Sequence, residues 1–181
     1  MDPKLLERII FLDFDGVLAT PHSYMSAPSQ SSDEYHDGLL INRNRVQRLE
    51  TIYRKTRASI VLSTTWRLLF PIAKNTMWLR RLGLTAPILG QTPNMSEHTR
   101  GIEILSWLAK HAPDCQHWIA IDDDWDNMCP ITDDHLIKTY WMPPKGKPIG
   151  LSKRHIEEAI RKLGVTCPSI NLSLEDSSSP S

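Results

Sequence analysis

The sequence has no surplus of charge of either sign: 21 Lys and Arg stand against 21 Asp and Glu. Bulk charge therefore provides no pull toward nucleic acid or an anionic membrane, and any such attraction has to come from a local patch. Cysteine is scarce. The three residues, Cys115, Cys129 and Cys167, are odd in number and scattered, with no C-x-x-C or Cys/His pairing at metal-ligand spacing. This argues against a disulfide framework or zinc site and for reduced thiols in a cytosolic setting. No apolar run approaches the length of a membrane span. The opening "MDPKLLERII" alternates acid and base and lacks the apolar core of a signal peptide. The expectation is a cytoplasmic protein, with export by a non-classical signal left open.

What is present is ordinary for a globular protein: 181 residues, 40% apolar and 23% charged. That suits one domain, expected over 1–164, with a polar tail at 165–181 ending in "LEDSSSPS" that composition marks as disordered. Short apolar runs read as strands: "IIFLD" (9–13), "ASIVLS" (58–63), "HWIAID" (117–122) and "HLIKTYW" (135–141), with "API" (86–88) as a short fifth. The first three have the continuous apolar character of parallel strands buried on both faces. Between them run helical patterns. Asn42 caps one carrying Val46, Leu49, Ile52 and Tyr53. A second covers 65–82, which Pro71 should interrupt and Gly83 stop. Ile102, Leu105, Leu108 and Ala109 mark a third. Ile156, Ala159, Ile160 and Leu163 mark a fourth, between Ser152 and Gly164. Strand–helix alternation predicts an α/β fold with a mostly parallel sheet of five strands. Residues 19–38, rich in Ser and Pro, read as a long loop or small flap.

The chemistry concentrates at strand ends. In "RIIFLDFDGVL" a buried strand finishes in Asp13 and Asp15, two apart and so on one side, with Phe14 turned to the core and Gly16 permitting a sharp turn. In a parallel sheet, ligands bind beyond the carboxyl ends of the strands. Two adjacent carboxylates repel unless a cation lies between them or one keeps its proton. An all-oxygen site with few protein ligands suits Mg²⁺. Taken alone, the pair is equally a solvated turn. The second strand ends "VLSTTWR", with Ser63 and Thr64 as hydroxyls for an anion, or simply as a helix cap. The third long strand ends "IAIDDDWDN", clustering Asp122, Asp123, Asp124 and Asp126. "HTRGIEIL" puts Arg100 at the opening of a helix, where a surface arginine is the plainer reading.

Taken in order, "DFDG", "LSTTWR", "TRG" and "IDDD" resemble the four motifs of the haloacid dehalogenase-like (HAD) phosphohydrolases. The likeness covers roughly residues 8–142. It also looks like a compact subgroup found as the phosphatase part of RNA-repair proteins, while other compact members act on phosphoproteins. The resemblance implies a Rossmann-like three-layer sandwich with a minimal cap or none. It implies that Asp13 attacks phosphorus to form an aspartyl phosphate, and that Asp15 is the acid/base. Dehalogenases lack the second aspartate, so Asp15 favours phosphate chemistry. Ser63, Thr64 and Arg100 would bind substrate phosphate, with Lys110 or Arg67 as replacements for Arg100. Mg²⁺ would be held by Asp13, the Asp15 carbonyl and an acid of the fourth motif: Asp122 first, Asp123 second, with Asp126 acting through water or by orienting the others. No cysteine carries the C-x5-R spacing of thiol phosphatases, which leaves Asp13 as nucleophile.

The short gaps between motifs imply an open site and a phosphorylated macromolecule as partner, either a phosphoprotein (phosphotyrosine included) or a nucleic-acid end. Arg80, Arg81, Lys145, Lys147, Lys153 and Arg154 are candidate backbone contacts. Trp66 and Trp125 are candidate stacking surfaces, and for Trp66 core packing is the stronger expectation. A non-catalytic phosphate-binding module and a phosphotransferase of the same fold are the alternatives.

Overall fold

A computed structural model describes residues 2–26, 38, 40–95 and 97–165 of the chain. Five strands form one sheet: β1 (Arg8–Leu12), β2 (Ser59–Leu62), β3 (Ile88–Gln91), β4 (His117–Asp122) and β5 (Leu136–Lys138). Their order is β3-β2-β1-β4-β5, and every pairing is parallel. The helices are α1 (Pro21–Ser26), α2 (Arg43–Thr56), α3 (Trp66–Leu69), α4 (Ile72–Arg81), α5 (Arg100–His111) and α6 (Lys153–Lys162).

The architecture is a three-layer α/β sandwich, and the period-2 geometry of the central strand explains the layers. Ile10 and Leu12 point to one face, where they meet Val46, Leu49 and Ile52 of α2, Trp78 and Leu79 of α4, and Ala159 of α6. Ile9 and Phe11 point to the other, against Ile104, Trp107 and Leu108 of α5. These four β1 side chains are at most 1% exposed. Each burial of this kind is worth roughly 1.5–3 kcal/mol, which is why the strand reads as an unbroken apolar run. Phe11 packs edge-on against both Trp107 and Trp118, with centroids 5.6 and 6.0 Å away.

The helix boundaries follow from local chemistry. The Asn42 side chain accepts the N–H groups of Asn44 and Arg45, capping α2. Pro71 separates α3 from α4, and Ser152 with His155 forms a reciprocal capping box at α6. Two strands depart from the sequence reading. β3 begins at Ile88 and runs to Gln91 rather than over 86–88, because Pro87 has no N–H for the ladder and contributes only its carbonyl, to Ile60 N–H at 2.8 Å. β5 stops at Lys138, with His135 in a 3₁₀ turn before it. Residues 21–26, read as part of a loop, form the short α1, for which Pro21 at the first position is well suited. Residues 27–37, the rest of the expected flap, and 166–181, nearly all of the expected tail, lie outside the described residues.

The strand order reverses direction at β1: β2 lies on one side and β4 on the other. At such a switch point the connections leave in opposite directions, and a crevice opens beyond the carboxyl ends of the two strands.

Candidate functional site

β1 and β4 pair in register, Leu12 beside Ile121, and the Asp13 N–H continues the ladder to the Ile121 carbonyl at 3.1 Å. The next residues on the two strands are Asp13 and Asp122. The fold thereby forces two carboxylates together, 3% and 1% exposed. Asp123 joins them: one oxygen from each of the three acids lies within 4.8 Å of the others. Gly16 makes room. It has φ +65°, and a Cβ there would stand 2.0 Å from Asp123 Cγ. The glycine behind the first motif thus opens space for the fourth.

Arg100 closes this cluster from helix α5. Its Nη1 donates to Asp13 Oδ2 at 2.7 Å and to Asp122 Oδ2 at 2.5 Å. Gly101 allows the approach, since a Cβ there would lie 2.1 Å from the Met128 carbonyl oxygen. Thr99 caps the helix, and the Arg100 N–H donates to Asn127 Oδ1 at 3.1 Å. Asp13 Oδ1 accepts the Phe14 N–H at 2.7 Å, the Thr64 side chain also hydrogen-bonds Asp13, and Asp122 Oδ1 accepts the Asp124 N–H at 2.9 Å.

Three carboxylates against one guanidinium leave an excess of negative charge in a dry site. Burial pushes the Asp13 carboxyl up, with Arg100 opposing. Burial, followed by the Asp13 charge, holds Asp122 well above the usual carboxylate range. Asp123 is pushed up to about 6 by the same two causes. Arg100 is held charged: its burial opposes this, but the Asp13 and Asp122 charges prevail.

The remaining residues fall around this centre. Asp15 is half-buried, and its carboxylate turns to the indole N–H of Trp66 and the hydroxyl of Tyr24 rather than to the three clustered acids. Ser63, at the end of β2, is 2% exposed, and its Oγ has no hydrogen-bond partner among the described residues. Arg67 is engaged elsewhere, paired with Glu103 and donating to the Thr64 carbonyl at 2.7 Å. Lys110 lies exposed in the last turn of α5, and Asp124 and Asp126 are exposed. A cavity of about 370 Å³ lined by Thr65, Arg67, Asn94, His98, Arg100 and Asn127 opens beside the cluster.

Trp125 is half-buried. It packs edge-on against Tyr140 with centroids 5.0 Å apart, and Lys138 Nζ lies 5.3 Å from its ring. The expected basic contacts, Arg80, Arg81, Lys145, Lys147, Lys153 and Arg154, are exposed and spread over α4, the 139–152 segment and α6. Glu103 and the hydrogen bonds that Trp66 and Tyr24 make to Asp15 escaped the sequence reading.

An open parallel α/β sheet with acids at the ends of its two switch-point strands and an arginine between them defines a haloacid dehalogenase-like domain. The family described as the HAD domain in Swiss Army Knife RNA repair proteins matches residues 9–143, and the chain belongs to that family. No curated protein and no solved structure matches the chain. Among the described residues, no helix is long and apolar enough to cross a membrane.

Proposed function

We propose that this chain is a phosphomonoesterase that works through Asp13 and takes the terminal phosphate of a nucleic acid. The observation that carries the reading is the meeting of Asp13, Asp122 and Arg100 at the carboxyl ends of β1 and β4, with Asp15 alongside. The RNA-repair setting of the matched family supports a nucleic-acid end over a phosphoprotein.

Asp13 is fixed by the Phe14 N–H and Arg100, so its carboxylate is aimed before substrate arrives. It attacks phosphorus in line, and Asp15 gives a proton to the departing oxygen. The resulting aspartyl phosphate is then hydrolysed by a water from which Asp15 takes a proton. Thr64 already serves Asp13, so Ser63 Oγ, buried and without a partner among the described residues, is the hydroxyl for a phosphoryl oxygen. Arg100 screens the carboxylates from the incoming dianion.

The donor set fits Mg²⁺: oxygen ligands only, clustered within 4.8 Å, with more acid than the single guanidinium neutralises. Asp13, Asp122 and Asp123, with the Asp15 carbonyl, would hold it, and Asp126 stays outside as an exposed neighbour. When bound, the ion supplies positive charge at the phosphoryl oxygens and orders the reacting groups.

The test is a substrate panel with and without Mg²⁺: 3′- and 5′-phosphorylated oligonucleotides, phosphotyrosine and phosphoserine peptides, and sugar phosphates. Mg²⁺-dependent release of phosphate, with an oligonucleotide as best substrate, is expected. A preference for peptides overturns the substrate class. Absence of turnover on every member overturns the enzyme reading in favour of a binding module. Transfer to added alcohols in place of water marks a phosphotransferase.

A further inference from the structure

The two oxygens of the Asp15 carboxylate are held by unlike donors. Oδ2 accepts the indole N–H of Trp66 at 2.8 Å, and Oδ1 accepts the hydroxyl of Tyr24 at 2.9 Å. Trp66 is 4% exposed and wedged edge-on among Phe14, Phe70 and Trp78, with centroids 5.3 to 6.2 Å away. An indole can only donate, and this one has no room to turn. Tyr24 is 43% exposed, sits on the short helix α1 and meets Trp141 edge-on at 5.4 Å. A phenol at the surface exchanges one oxygen partner for another at little net cost. Packing against Phe14 would be served by any large aromatic at position 66. The N–H aimed at Asp15 is what only tryptophan provides there.

We propose that Trp66 is the positioning residue of the acid/base: it pins Oδ2, so that Oδ1 alone exchanges protons with substrate, while Tyr24 caps Oδ1 until a leaving group displaces its hydroxyl. The inference rests on the phosphatase reading and assigns atoms within it. In the first step the P–O bond to the leaving group breaks as the Oδ1 proton moves to the departing oxygen, leaving Asp15 as carboxylate. In the second, Oδ1 takes a proton from the attacking water as the aspartyl–phosphate bond opens, which restores the acid. Tyr24 keeps its own proton throughout.

The experiment is kcat/KM across a series of phosphate monoesters, from p-nitrophenyl to simple alkyl. This parameter reports only the steps through formation of the phosphoenzyme. Trp66→Phe should lower it about tenfold or more for alkyl esters and less than about threefold for p-nitrophenyl phosphate, whose leaving group departs without a proton. A uniform loss makes Trp66 a packing residue and overturns the proposal. Tyr24→Phe should raise kcat/KM about twofold across the series, since the cap on Oδ1 is removed. A loss that grows with leaving-group basicity makes Tyr24 a second positioning contact and overturns the asymmetry.

Should Trp66→Phe fail to fold, the indole N–H signals of the ¹⁵N-labelled wild type decide. One signal must move in Asp15→Ala and keep its protection when orthovanadate fills the site, and loss of that protection overturns the proposal. A wild type inactive on every ester removes the phosphatase reading itself, whereas an active wild type with uniform losses removes only this assignment.

Discussion

Helix α5 carries two arginine–carboxylate clusters, equally buried and oppositely built. At its first residue, Arg100 faces Asp13 and Asp122 with Asp123 behind them. Their ion-paired side chains are 8%, 4% and 2% exposed. One turn on, Glu103 meets Arg67, with side chains 7% and 5% exposed. The second cluster is balanced: one acid, one base, with Glu103 also accepting the Met95 N–H at 2.9 Å and Arg67 donating to Thr64. The first is not balanced, and its acids are pushed toward the protonated form. A matched buried pair fixes geometry, here the Thr64 turn and the start of α5. A mismatched one stores a demand for positive charge that an ion or a changed protonation state must meet.

The comparison breaks most sharply at Asp13. Asp13→Asn removes the proposed nucleophile and should cost turnover at least about a thousandfold. It also leaves Arg100 with one carboxylate partner in Asp122, so the melting temperature should stay level or rise. A folded variant that keeps more than a tenth of wild-type turnover defeats the assignment. The balanced cluster should behave the other way round. Glu103→Ala strands a buried guanidinium and should cost about 3 kcal/mol in urea unfolding, while turnover falls far less than in Asp13→Asn. If the two variants trade places, the contrast between the clusters is wrong.

How much of this the sequence disclosed depends on the range of each interaction. β1, β2 and β4 and the helices from Asn42, at Arg100 and from Ser152 were legible because their signals are local: buried runs, caps and a 3.6-residue period. The order of the motifs points to Asp13, Asp122 and Arg100 as neighbours. The roles of Gly16 and Gly101 as spacers were not legible, because the atoms they make room for come from the segment after β4. Trp66 looked like core, and it is core. Its hydrogen bond to Asp15 spans 51 residues of chain and has no local signature. The Arg67–Glu103 pair, 36 residues apart, was hidden for the same reason, which left Arg67 open as a substitute for Arg100.

Addition of Mg²⁺ sharpens the comparison next. If the unbalanced cluster holds the ion, binding to the folded state alone raises its stability, and the wild type should melt several degrees higher in millimolar Mg²⁺ than in chelator. Asp122→Asn should lose most of that rise and Glu103→Gln should keep it. If only Asp123→Asn loses it, the choice of Asp122 as first ligand falls.

The smallest effect is one of pH, in metal-free protein. Asp123 titrates near 6 when folded, against an ordinary value of 3.8. Between those values the native state holds more protons than the unfolded chain. The stabilising contribution is therefore full below about pH 4 and lost as pH rises through about 6. Asp13 and Asp122 are shifted in the same direction. His155 works in the opposite sense: burial pushes it down to about 4, so its contribution is lost as pH falls. That term is common to wild type and variant and cancels in a difference. The melting temperature of Asp123→Asn minus that of wild type should therefore increase steadily from pH 4 to pH 7 in chelator. In saturating Mg²⁺ the trend should reverse, because the ionised carboxylate then has a cation to meet. A difference that is flat in pH without metal would mean that Asp123 shares no desolvated site with Asp13, and the unbalanced cluster would shrink to a simple Asp13–Arg100–Asp122 bridge.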